Sequence, residues 1–450
     1  MTHAHRQLHV LMLGWEYPPL YVGGLGKASQ GLARGLAAVG VDVLFVLPNH
    51  RPTHPSATLR VTGVRQWLAA ATRVEHGRTK RRMKRYAPKG LNFLTVPARL
   101  FPYRRVPAGA RPGASINVPT DTPAIPGNAG EDNPAGRIYG DDLGAEVARF
   151  ATRVARLTRR VQADVVHAND WMSFPAAFAA AEPRHLPVFL HIHSTEYDRS
   201  GEAVNPAIAR IERESCARAA HIFAVSHYTA NVLTSRYGVS PGKITVVYNA
   251  PDGTTAQSMP ALRSAPRAPW VVFLGRLTFQ KGPDHFLRAA ARVARLNAGA
   301  RFLVCGSGDM SNDLRTLAQT LGIADRVEFE GFLRPTAVDW VLAHSRVLVM
   351  SSVSEPFGLV ALEALRNGTP VIVSRQSGVR EVLGHSLEAD FWDHEKFADE
   401  ILALLRLPAL GRQLVESGRE QLEHLSWENA ARIILAAYRR VCAALPTALS

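Results

Sequence analysis

The sequence predicts an α/β protein with two doubly wound, Rossmann-like domains that face each other across a cleft. With 450 residues, the chain is longer than one ordinary domain. Short apolar stretches alternate with stretches of helical periodicity, which is typical of parallel sheets with helices on both faces. This alternation stops in residues 251–268, which are rich in Pro, Ala and Ser, and then begins again. Ligands of such sheets bind at the carboxyl ends of the strands, so we expect the site in the cleft.

Residues 1–250 form the predicted first domain. Its strands are expected at HVLMLGW, DVLFVLP, DVVHAND, VFLHIHS, IFAVS and ITVVYNA, and its first helix at GKASQGLARGLAAVG. Residues 251–268 are the predicted linker. Residues 269–430 are the predicted second domain, with strands at WVVFLGRL, RFLVCGSG, VEFEGF, SRVLVMSS and PVIVS. Residues 431–450 belong to an amphipathic C-terminal helix that we expect to pack back on the first domain.

Composition narrows the class of protein. The formal net charge of +15 is consistent with compositional bias, an anionic ligand or a membrane surface. The basic cluster Arg78–Arg85 is either a solvated face or a phosphate or membrane contact, and the Pro- and Gly-rich stretch Tyr103–Gly136 is expected to be a long surface loop. No apolar stretch approaches the roughly 20 residues that span a bilayer, and we expect no signal peptide. The three scattered cysteines, expected as reduced core thiols, predict a cytoplasmic protein.

The stretch YVGGLGKASQGLARGL looks like a phosphate-binding loop but matches neither familiar pattern. Lys27 is followed by Ala28 rather than Ser or Thr, which excludes a Walker loop. Ser29 stands where a dinucleotide fingerprint has its third glycine. A helix that begins after Gly23 and Gly24 would still aim its free N–H groups at an anion. A plain strand-to-helix turn that needs glycine for packing explains the stretch equally well.

The most informative stretch is SSVSEPFGLVALEALRNGTPVIVS, in which a buried strand leads through a loop into a helix. Free N–H groups around Gly358 and Leu359, at the start of that helix, can hold a diphosphate. Glu355 at the helix mouth would repel a phosphate, so we expect it to bind hydroxyl groups. Glu363 lies two turns further on and is expected to face the same cleft. The two carboxylates therefore suit two different polyols, such as a sugar and a ribose.

Two cations follow the predicted strand in FLGRLTFQKG. Arg276 and Lys281 lie five residues apart across a turn, so both can reach one anion. The guanidinium fork and the ammonium point charge together suit a leaving diphosphate. Alone, the two would be solvated loop cations; the pair of glutamates further along the chain favours the anion site.

Taken together, these motifs resemble the retaining glycosyltransferases of family 4, which have the GT-B fold. In the second half the resemblance rests on Gly275-Arg276-Leu277 with Lys281-Gly282, Gly306-Ser307-Gly308, Glu330-Gly331-Phe332, and Ser354-Glu355-Pro356-Phe357-Gly358 through Glu363. The first half is similar to the catalytic domain of glycogen and starch synthases in Gly23-Gly24-Leu25-Gly26, Tyr139 to Phe150, His167 to Trp171 and HIHSTEYDRSGE. The resemblance implies that the second domain binds a nucleotide sugar and that the first lies on the acceptor side.

The resemblance also implies a role for each motif. Arg276 and Lys281 would neutralise the leaving diphosphate, Glu355 would bind hydroxyls of the transferred sugar, and these three are the implied catalytic residues. Glu363 would bind the ribose. The other implied donor contacts are Gly23, Gly24, His193, Gly306, Gly308, Phe357, Gly358 and Leu359. The reaction is then a front-face substitution that needs no metal and no cofactor, because preorganised charge stabilises the leaving group.

The chain departs from the synthases at three positions. Phe357 stands where the synthases have the Cys of Glu-Pro-Cys-Gly-Leu, which gives the commoner family 4 form. Tyr21 stands where the synthases have the Lys of Lys-x-Gly-Gly-Leu, and Asn169 stands where they have the second His of His-x-His-Asp-Trp. We expect acceptor or sugar contacts from Asp141, His167 and Asn169. These departures bear on the identity of donor and acceptor rather than on the reaction class.

The predicted activity is the transfer of a hexose, with glucose as first choice, from an ADP-, UDP- or GDP-linked donor to a hydroxyl of an α-glucan or other carbohydrate acceptor. A lipid- or small-molecule-directed family 4 enzyme is the alternative, and it leaves peripheral membrane contact open. A phosphorylase that uses a sugar phosphate on the same scaffold is a weaker alternative. A basic nucleic-acid-binding protein is a distant one, because the sequence has no aromatic–basic platform or helix-turn-helix pattern.

Overall fold

The computed structural model describes residues 7–18, 23–48, 143–159, 161–251, 268 and 270–444, together with the backbone of 61–63 and 91–95. Predictions that lie outside the described residues concern Tyr21, the cluster Arg78–Arg85, the loop Tyr103–Gly136, Asp141 and most of the linker 251–268.

The first half of the chain builds a sheet in which all the described neighbouring strands run parallel. Its strands are β1 (His9–Leu13), β2 (Asp42–Leu47), β3 (Val61–Gly63), β4 (Leu91–Thr95), β5 (Val165–Asn169), β6 (Val188–Ile192), β7 (His221–Ala224) and β8 (Ile244–Val246). They are ordered β3-β4-β2-β1-β5-β6-β7-β8 across the sheet. The apolar runs of the central strands fit this position, since a parallel strand is buried on both faces.

The second half builds a second parallel sheet. Its strands are β9 (Trp270–Leu274), β10 (Arg301–Cys305), β11 (Val327–Gly331), β12 (Val347–Met350), β13 (Val371–Ser374) and β14 (Leu387–Ala389). They are ordered β11-β10-β9-β12-β13-β14. Buried apolar clusters cover both sheets, with different residues of the same strand entering different clusters.

Helices alternate with the strands along the chain. In the first half they are α1 (Gly24–Ala38), α2 (Leu143–Thr158), α3 (Phe174–Ala181), α4 (Glu196–Ser200), α5 (Pro206–Arg218) and α6 (His227–Tyr237). In the second half they are α7 (Pro283–Leu296), α8 (Ser311–Thr320), α9 (Pro335–His344), α10 (Leu359–Arg366), α11 (His394–Arg406), α12 (Pro408–Leu422) and α13 (Trp427–Ala444).

Each sheet has a point at which the strand order reverses. β1 lies between β2 and β5, and β9 lies between β10 and β12. Connections therefore leave on opposite sides of β1 and of β9, and a crevice opens at the carboxyl ends of these strands. The loops at these two reversal points contain the glycines before α1, the cations after β9 and the acidic motif after β12.

The C-terminal helix α13 packs on α1, in the first half of the chain. Two glycines of α1 allow the close approach: a Cβ at Gly31 would meet the Trp427 ring at 2.0 Å, and one at Gly35 would meet the Trp427 carbonyl oxygen at 2.3 Å. Tyr438, near the middle of α13, is fully buried in the core of the first sheet. The helix begins four residues before the predicted boundary at 431.

The predicted fold class is confirmed, and the predicted stretches contain strands. The sequence did not predict β4, or the three-residue strands β3 and β14. The predicted glycine turn before α1 is wrong in detail, because α1 already begins at Gly24. Cys216 and Cys305 are buried free thiols as expected, whereas Cys442 on α13 is only partly buried.

Candidate active site

The loops that follow β9 and β12 are bonded to each other and carry the predicted charged residues. The Ser351 hydroxyl donates a hydrogen bond to the Gly282 carbonyl at 2.7 Å. The Gln280 carbonyl accepts hydrogen bonds from the N–H groups of Val353 and Ser354 at 3.0 and 3.3 Å. The two loops therefore form one surface at the carboxyl edge of the second sheet.

This surface brings a predicted cation into contact with a predicted carboxylate. Lys281 Nζ donates to Glu355 Oε2 at 2.5 Å, and the Glu355 side chain is 8% exposed. The Ser352 hydroxyl lies 3.4 Å from the same oxygen. Arg276 is held on the same loop, where its Nη2 donates to Gln280 Oε1 at 3.2 Å. Arg276, Lys281 and Glu355 are thus anchored to neighbouring loops of one domain.

Gly306 and Gly308 allow the loop after β10 to press against the loop that carries Arg276. A Cβ at Gly306 would lie 1.8 Å from the Gly275 carbonyl oxygen, and one at Gly308 would lie 2.1 Å from the Leu277 carbonyl oxygen. The N–H of Leu277 also donates to the Ser307 carbonyl at 3.1 Å. Both glycines therefore fix the position of the cationic loop, whatever contact their backbone makes with a ligand.

The acidic motif leads directly into the N-terminus of α10. Gly358 precedes the helix with φ +114, a conformation that other residues rarely adopt, and Leu359 is the first helical residue. The Phe357 side chain is 3% exposed and packs in the core beside Tyr248. Only the backbone of Phe357 is therefore available for the predicted donor contact.

The N-terminus of α1 approaches the N-terminus of α10 from the opposite domain. Gly23 precedes α1 in an extended conformation. A Cβ at Gly24 would lie 3.5 Å from Leu359 Cδ1. Lys27 in the first turn of α1 forms an ion pair with Glu363 of α10. The two glycines, both helix N-termini and both glutamates of the motif thus converge on one region between the domains.

His193 follows β6 and is held by Asn169 at the end of β5. The Asn169 side-chain nitrogen donates to the Leu13 carbonyl at 3.0 Å, which orients its oxygen towards His193 Nε2, also at 3.0 Å. His193 Nε2 therefore donates, and Nδ1 is an acceptor. Nδ1 is buried and has no hydrogen-bond partner among the described residues. Burial lowers the pKa of His193 to about 3, so the ring is neutral.

Asp170 fixes the backbone on both sides of this histidine. It adopts φ +56, and its carboxylate accepts hydrogen bonds from the N–H groups of His193 at 2.7 Å and Ser194 at 3.3 Å. Burial raises the pKa of Asp170 to about 7, although the charge of Arg199 and the two backbone donors oppose that shift.

His167 and Asn169 do not lie on an open acceptor surface. Both are fully buried. His167 Nδ1 bonds the Tyr438 hydroxyl at 2.5 Å, and its ring packs near His191, which in turn stacks on His193. The structure thus places both side chains beneath His193, where they support its ring, and the acceptor or sugar contact expected of His167 and Asn169 stays a prediction.

A buried ionic network shapes the segment HIHSTEYDRSGE. Arg199 pairs with Glu196 at 3.1 Å and with Glu212 at 2.6 Å, and all three side chains are at most 6% exposed. Arg199 also donates to the Ser194 carbonyl at 3.0 Å. Buried charges are stable only when paired in this way, so the residues that make the segment recognisable hold the loop after His193 in shape.

Three residues that the sequence did not predict for the site, Asp198, Tyr228 and Ser354, join this segment to the acidic motif. Ser354, next to Glu355, donates to Asp198 Oδ1 at 2.6 Å and lies 3.0 Å from the Tyr228 hydroxyl. Asp198 is also the capping-box residue of α4, bonded to Thr195. The pattern Thr-x-x-Asp in HIHSTEYDRSGE signals the cap, but no sequence pattern signals the contact with Ser354.

Two further contacts tie the domains together beside the motif. The Ser226 hydroxyl donates to the Pro356 carbonyl at 2.6 Å. The Glu381 carboxylate accepts from the N–H groups of His227 and Tyr228, at 2.7 Å each, and so caps the N-terminus of α6 from the other domain. The loop with Glu355 is consequently placed by both domains.

Within the described part of the chain, no three His, Cys, Asp or Glu side chains are grouped so as to hold a metal ion. No described helix combines the length and the apolar character needed to cross a bilayer.

Three family models match the chain. The model described as glycosyl transferases group 1 matches residues 255–421, glycosyltransferase family 4 matches 118–252, and the starch synthase catalytic domain matches 9–109. The matches follow the two halves of the structure and include both sides of the cleft.

Curated relatives match over nearly the whole chain. An uncharacterized glycosyltransferase of Methanocaldococcus jannaschii is 30% identical over 96% of this chain and 98% of its own length. A glycogen synthase of Mycobacterium tuberculosis is 26% identical over 96% and 95%. A D-inositol 3-phosphate glycosyltransferase of Rhodococcus opacus is 30% identical over 78% and 85%.

Solved structures share the fold at lower identity. The sucrose-phosphate synthase of Thermosynechococcus elongatus has a TM-score of 0.67 at 20% identity, covering 98% of this chain and all of that chain. The catalytic domain of Arabidopsis thaliana starch synthase IV, bound to ADP and acarbose, has a TM-score of 0.63 at 14% identity, covering 97% and 100%. At these identities the likeness concerns the fold alone.

Proposed function

This chain belongs to the group 1 and family 4 glycosyltransferases, and on that premise we propose that it transfers a hexose from a nucleotide diphosphate sugar to a carbohydrate acceptor. Glucose is the proposed sugar, an α-glucan is the proposed acceptor, and the anomeric configuration is retained.

One observation carries the proposal: the Lys281–Glu355 contact lies beside the N-terminus of α10, which faces the N-terminus of α1. Helix N-termini and cations stabilise a diphosphate, whereas carboxylates accept hydrogen bonds from sugar hydroxyls. A nucleotide diphosphate sugar presents both kinds of group within one small molecule.

In the proposed reaction the leaving diphosphate is stabilised by charge that is already in place. Arg276, Lys281 and the N–H groups at the start of α10 receive the negative charge that develops as the bond to the sugar breaks. The diphosphate takes the proton of the incoming hydroxyl on the same face. Glu355 holds sugar hydroxyls near the reacting carbon, and Glu363 holds the ribose.

His193 complements these groups from the first domain. Its Nδ1 is a buried acceptor without a protein partner among the described residues, and a buried acceptor gains free energy when it is bonded. A hydroxyl of the transferred sugar is the donor we propose for it. Because the imidazole is neutral, it would recognise the sugar without repelling the cations across the cleft.

A donor and acceptor screen tests the proposal. The protein is mixed with ADP-, UDP- and GDP-glucose, and thermal shift and sugar-nucleotide hydrolysis are measured for each. The best donor is then combined with glycogen and short maltooligosaccharides, and the configuration of the new bond is read by proton NMR. Elongated glucan with α-linked glucose supports the proposal. Binding of none of the donors, or a β-linked product, contradicts it.

The second candidate function is transfer to a small polar acceptor that bears phosphate. Two observations favour it: the match to a D-inositol 3-phosphate glycosyltransferase and the net charge of +15, which would attract an anionic acceptor. Adding inositol phosphates to the same screen separates the two candidates. Turnover that depends on the acceptor phosphate and is absent with glucans would replace the glucan by the small acceptor.

A further inference from the structure

The ion pair between Lys27 and Glu363 connects a residue without an assigned role to the proposed ribose carboxylate. Lys27 is the fourth residue of α1 and Glu363 the fifth residue of α10. The ammonium donates to Glu363 Oε1, and the two side chains are 25% and 20% exposed. The pair therefore spans the domain boundary in a partly desolvated position.

We propose that Lys27 is a positioning residue for the ribose of the donor: it fixes the Glu363 carboxylate in the orientation that accepts the ribose hydroxyls. This inference rests on the proposed function, since it assigns a partner to the carboxylate that binds the nucleoside. Ribose recognition then depends on both domains, although Glu363 itself belongs to the second.

The ion pair with Lys27 leaves the Glu363 carboxylate able to accept hydrogen bonds from the ribose hydroxyls. An ionised carboxylate has two oxygens and about four acceptor directions. Lys27 occupies one direction on Oε1, so other directions remain for two adjacent hydroxyls. Holding one oxygen also removes rotational freedom from the Glu363 side chain before the ligand arrives, which reduces the entropy that binding has to overcome.

The position of Lys27 at the start of α1 also supports its role in orienting Glu363. A cation in the first turn of a helix is opposed by the positive end of the helix dipole. Lys27 lies in the first turn of α1, and no acidic residue lies in that turn. Glu363 of the other domain supplies a carboxylate that opposes this cost, so α1 contributes to placing Glu363.

Lys27 and Lys281 form different kinds of ion pair, and we expect them to have different roles. Lys281 and Glu355 belong to the same domain and to loops that are bonded to each other. Lys27 reaches Glu363 only because α1 lies against α10, where Gly24 approaches Leu359. Lys27 should therefore act on binding of the nucleoside, and Lys281 on departure of the diphosphate.

The test compares the nucleoside with its diphosphate. Dissociation constants of the nucleoside and the nucleoside diphosphate of the best donor are measured by calorimetry, with displacement for the weaker ligand. The variants are Lys27→Met, Lys27→Arg, Glu363→Gln and the Lys27→Met/Glu363→Gln double variant. Lys396→Met removes a surface lysine paired with Glu400 and serves as the matched control.

Lys27→Met should weaken both ligands by the same factor, roughly fivefold, and should raise the donor KM by that factor with little change in kcat. Lys27→Arg should recover most of the affinity. In the double variant the two losses should not add, because both act on one contact. Lys396→Met should bind like the wild type.

Three results would overturn the inference while leaving the proposed function standing. They are a loss seen only with the diphosphate, which would make Lys27 a phosphate ligand; additive losses in the double variant; and unchanged nucleoside affinity in a folded Lys27→Met protein, with folding checked by its Tm. A wild type that binds no nucleoside diphosphate would overturn the proposed function, and this inference with it.

Discussion

The two faces of the cleft share one architecture but differ in the kind of polar group that they present. The face of the second domain presents charges that are paired across neighbouring loops, as in Lys281 with Glu355. The face of the first domain presents the uncharged ring of His193, which the buried amide of Asn169 orients from beneath. Its cation Lys27 is paired with Glu363 of the other face, so we call the part around His193 the neutral face and the part around Lys281 the charged face. The difference suggests a division of labour, in which one face stabilises developing charge and the other recognises hydroxyls.

The largest expected effect tests the charged face. Lys281→Ala or Arg276→Ala should lower kcat by about 100- to 1,000-fold, the loss seen when one preorganised donor to a developing anion is removed. Arg288→Ala, which removes an exposed arginine of α7, should retain wild-type kcat. Steady-state kinetics with saturating donor makes the comparison. A Lys281→Ala/Arg276→Ala double variant with near-normal turnover would refute the assignment.

The two carboxylates of the charged face should respond differently. Glu355→Gln should lower kcat roughly 10- to 100-fold, because it weakens contacts beside the reacting carbon. Glu363→Gln should raise the donor KM about tenfold with kcat almost unchanged, since ribose contacts are the same in the ground and transition states. The kcat and KM values of both variants show whether the two carboxylates have different roles. Equal defects of a purely binding type would abolish the division of roles.

At the neutral face we expect a smaller effect on kcat/KM, and one that does not depend on pH. His193→Ala should lower kcat/KM about tenfold by removing one hydrogen bond to the sugar. Since burial lowers the pKa of His193 to about 3, the ratio of wild-type to variant kcat/KM should stay constant from pH 5 to 8. His385→Ala, at an exposed histidine, is the control. A ratio that changes around pH 6.5 would show that the imidazole acts as a charged group.

The sequence predicted the charged face better than the neutral one, for a physical reason. Arg276, Lys281, Glu355 and Glu363 lie at strand ends or on one helix, so local spacing already shows that they share an edge. The burial of His167 depends on Tyr438, which lies 271 residues further along the chain. No local pattern shows that α13 covers that part of the sheet.

Contacts between the domains could not be predicted from the sequence for the same reason. Lys27 and Glu363 are 336 residues apart, and Asp198 and Ser354 are 156 apart. Each of these residues has an ordinary local explanation: Lys27 lies in a helix turn, Asp198 in a capping box and Ser354 in a loop. Only the packing of α1 and α4 against the second domain turns them into partners of the site.

The smallest effect on activity is expected at Asp170, beside His193. For this residue the informative measurement is the free energy of unfolding rather than the activity. Burial raises the pKa of Asp170 from an ordinary value of 3.8 to about 7. Between these values the folded protein binds more protons than the unfolded chain, so the free energy of unfolding should fall as the pH rises from about 4 to 7. The contribution of this one carboxyl is at most about 1.4 kcal/mol per pH unit.

Asp170→Asn should remove that contribution and keep the structure. The amide oxygen can still accept from the N–H groups of His193 and Ser194, and Asn tolerates the positive φ. Urea unfolding at several pH values measures the slope, with Asp399→Asn on the exposed surface of α11 as the control. We expect the variant to gain stability relative to the wild type as the pH rises to 7. An unchanged slope would mean that Asp170 is ionised throughout, so that the first domain also presents a charge beside His193 and the contrast between the two faces is weaker than proposed.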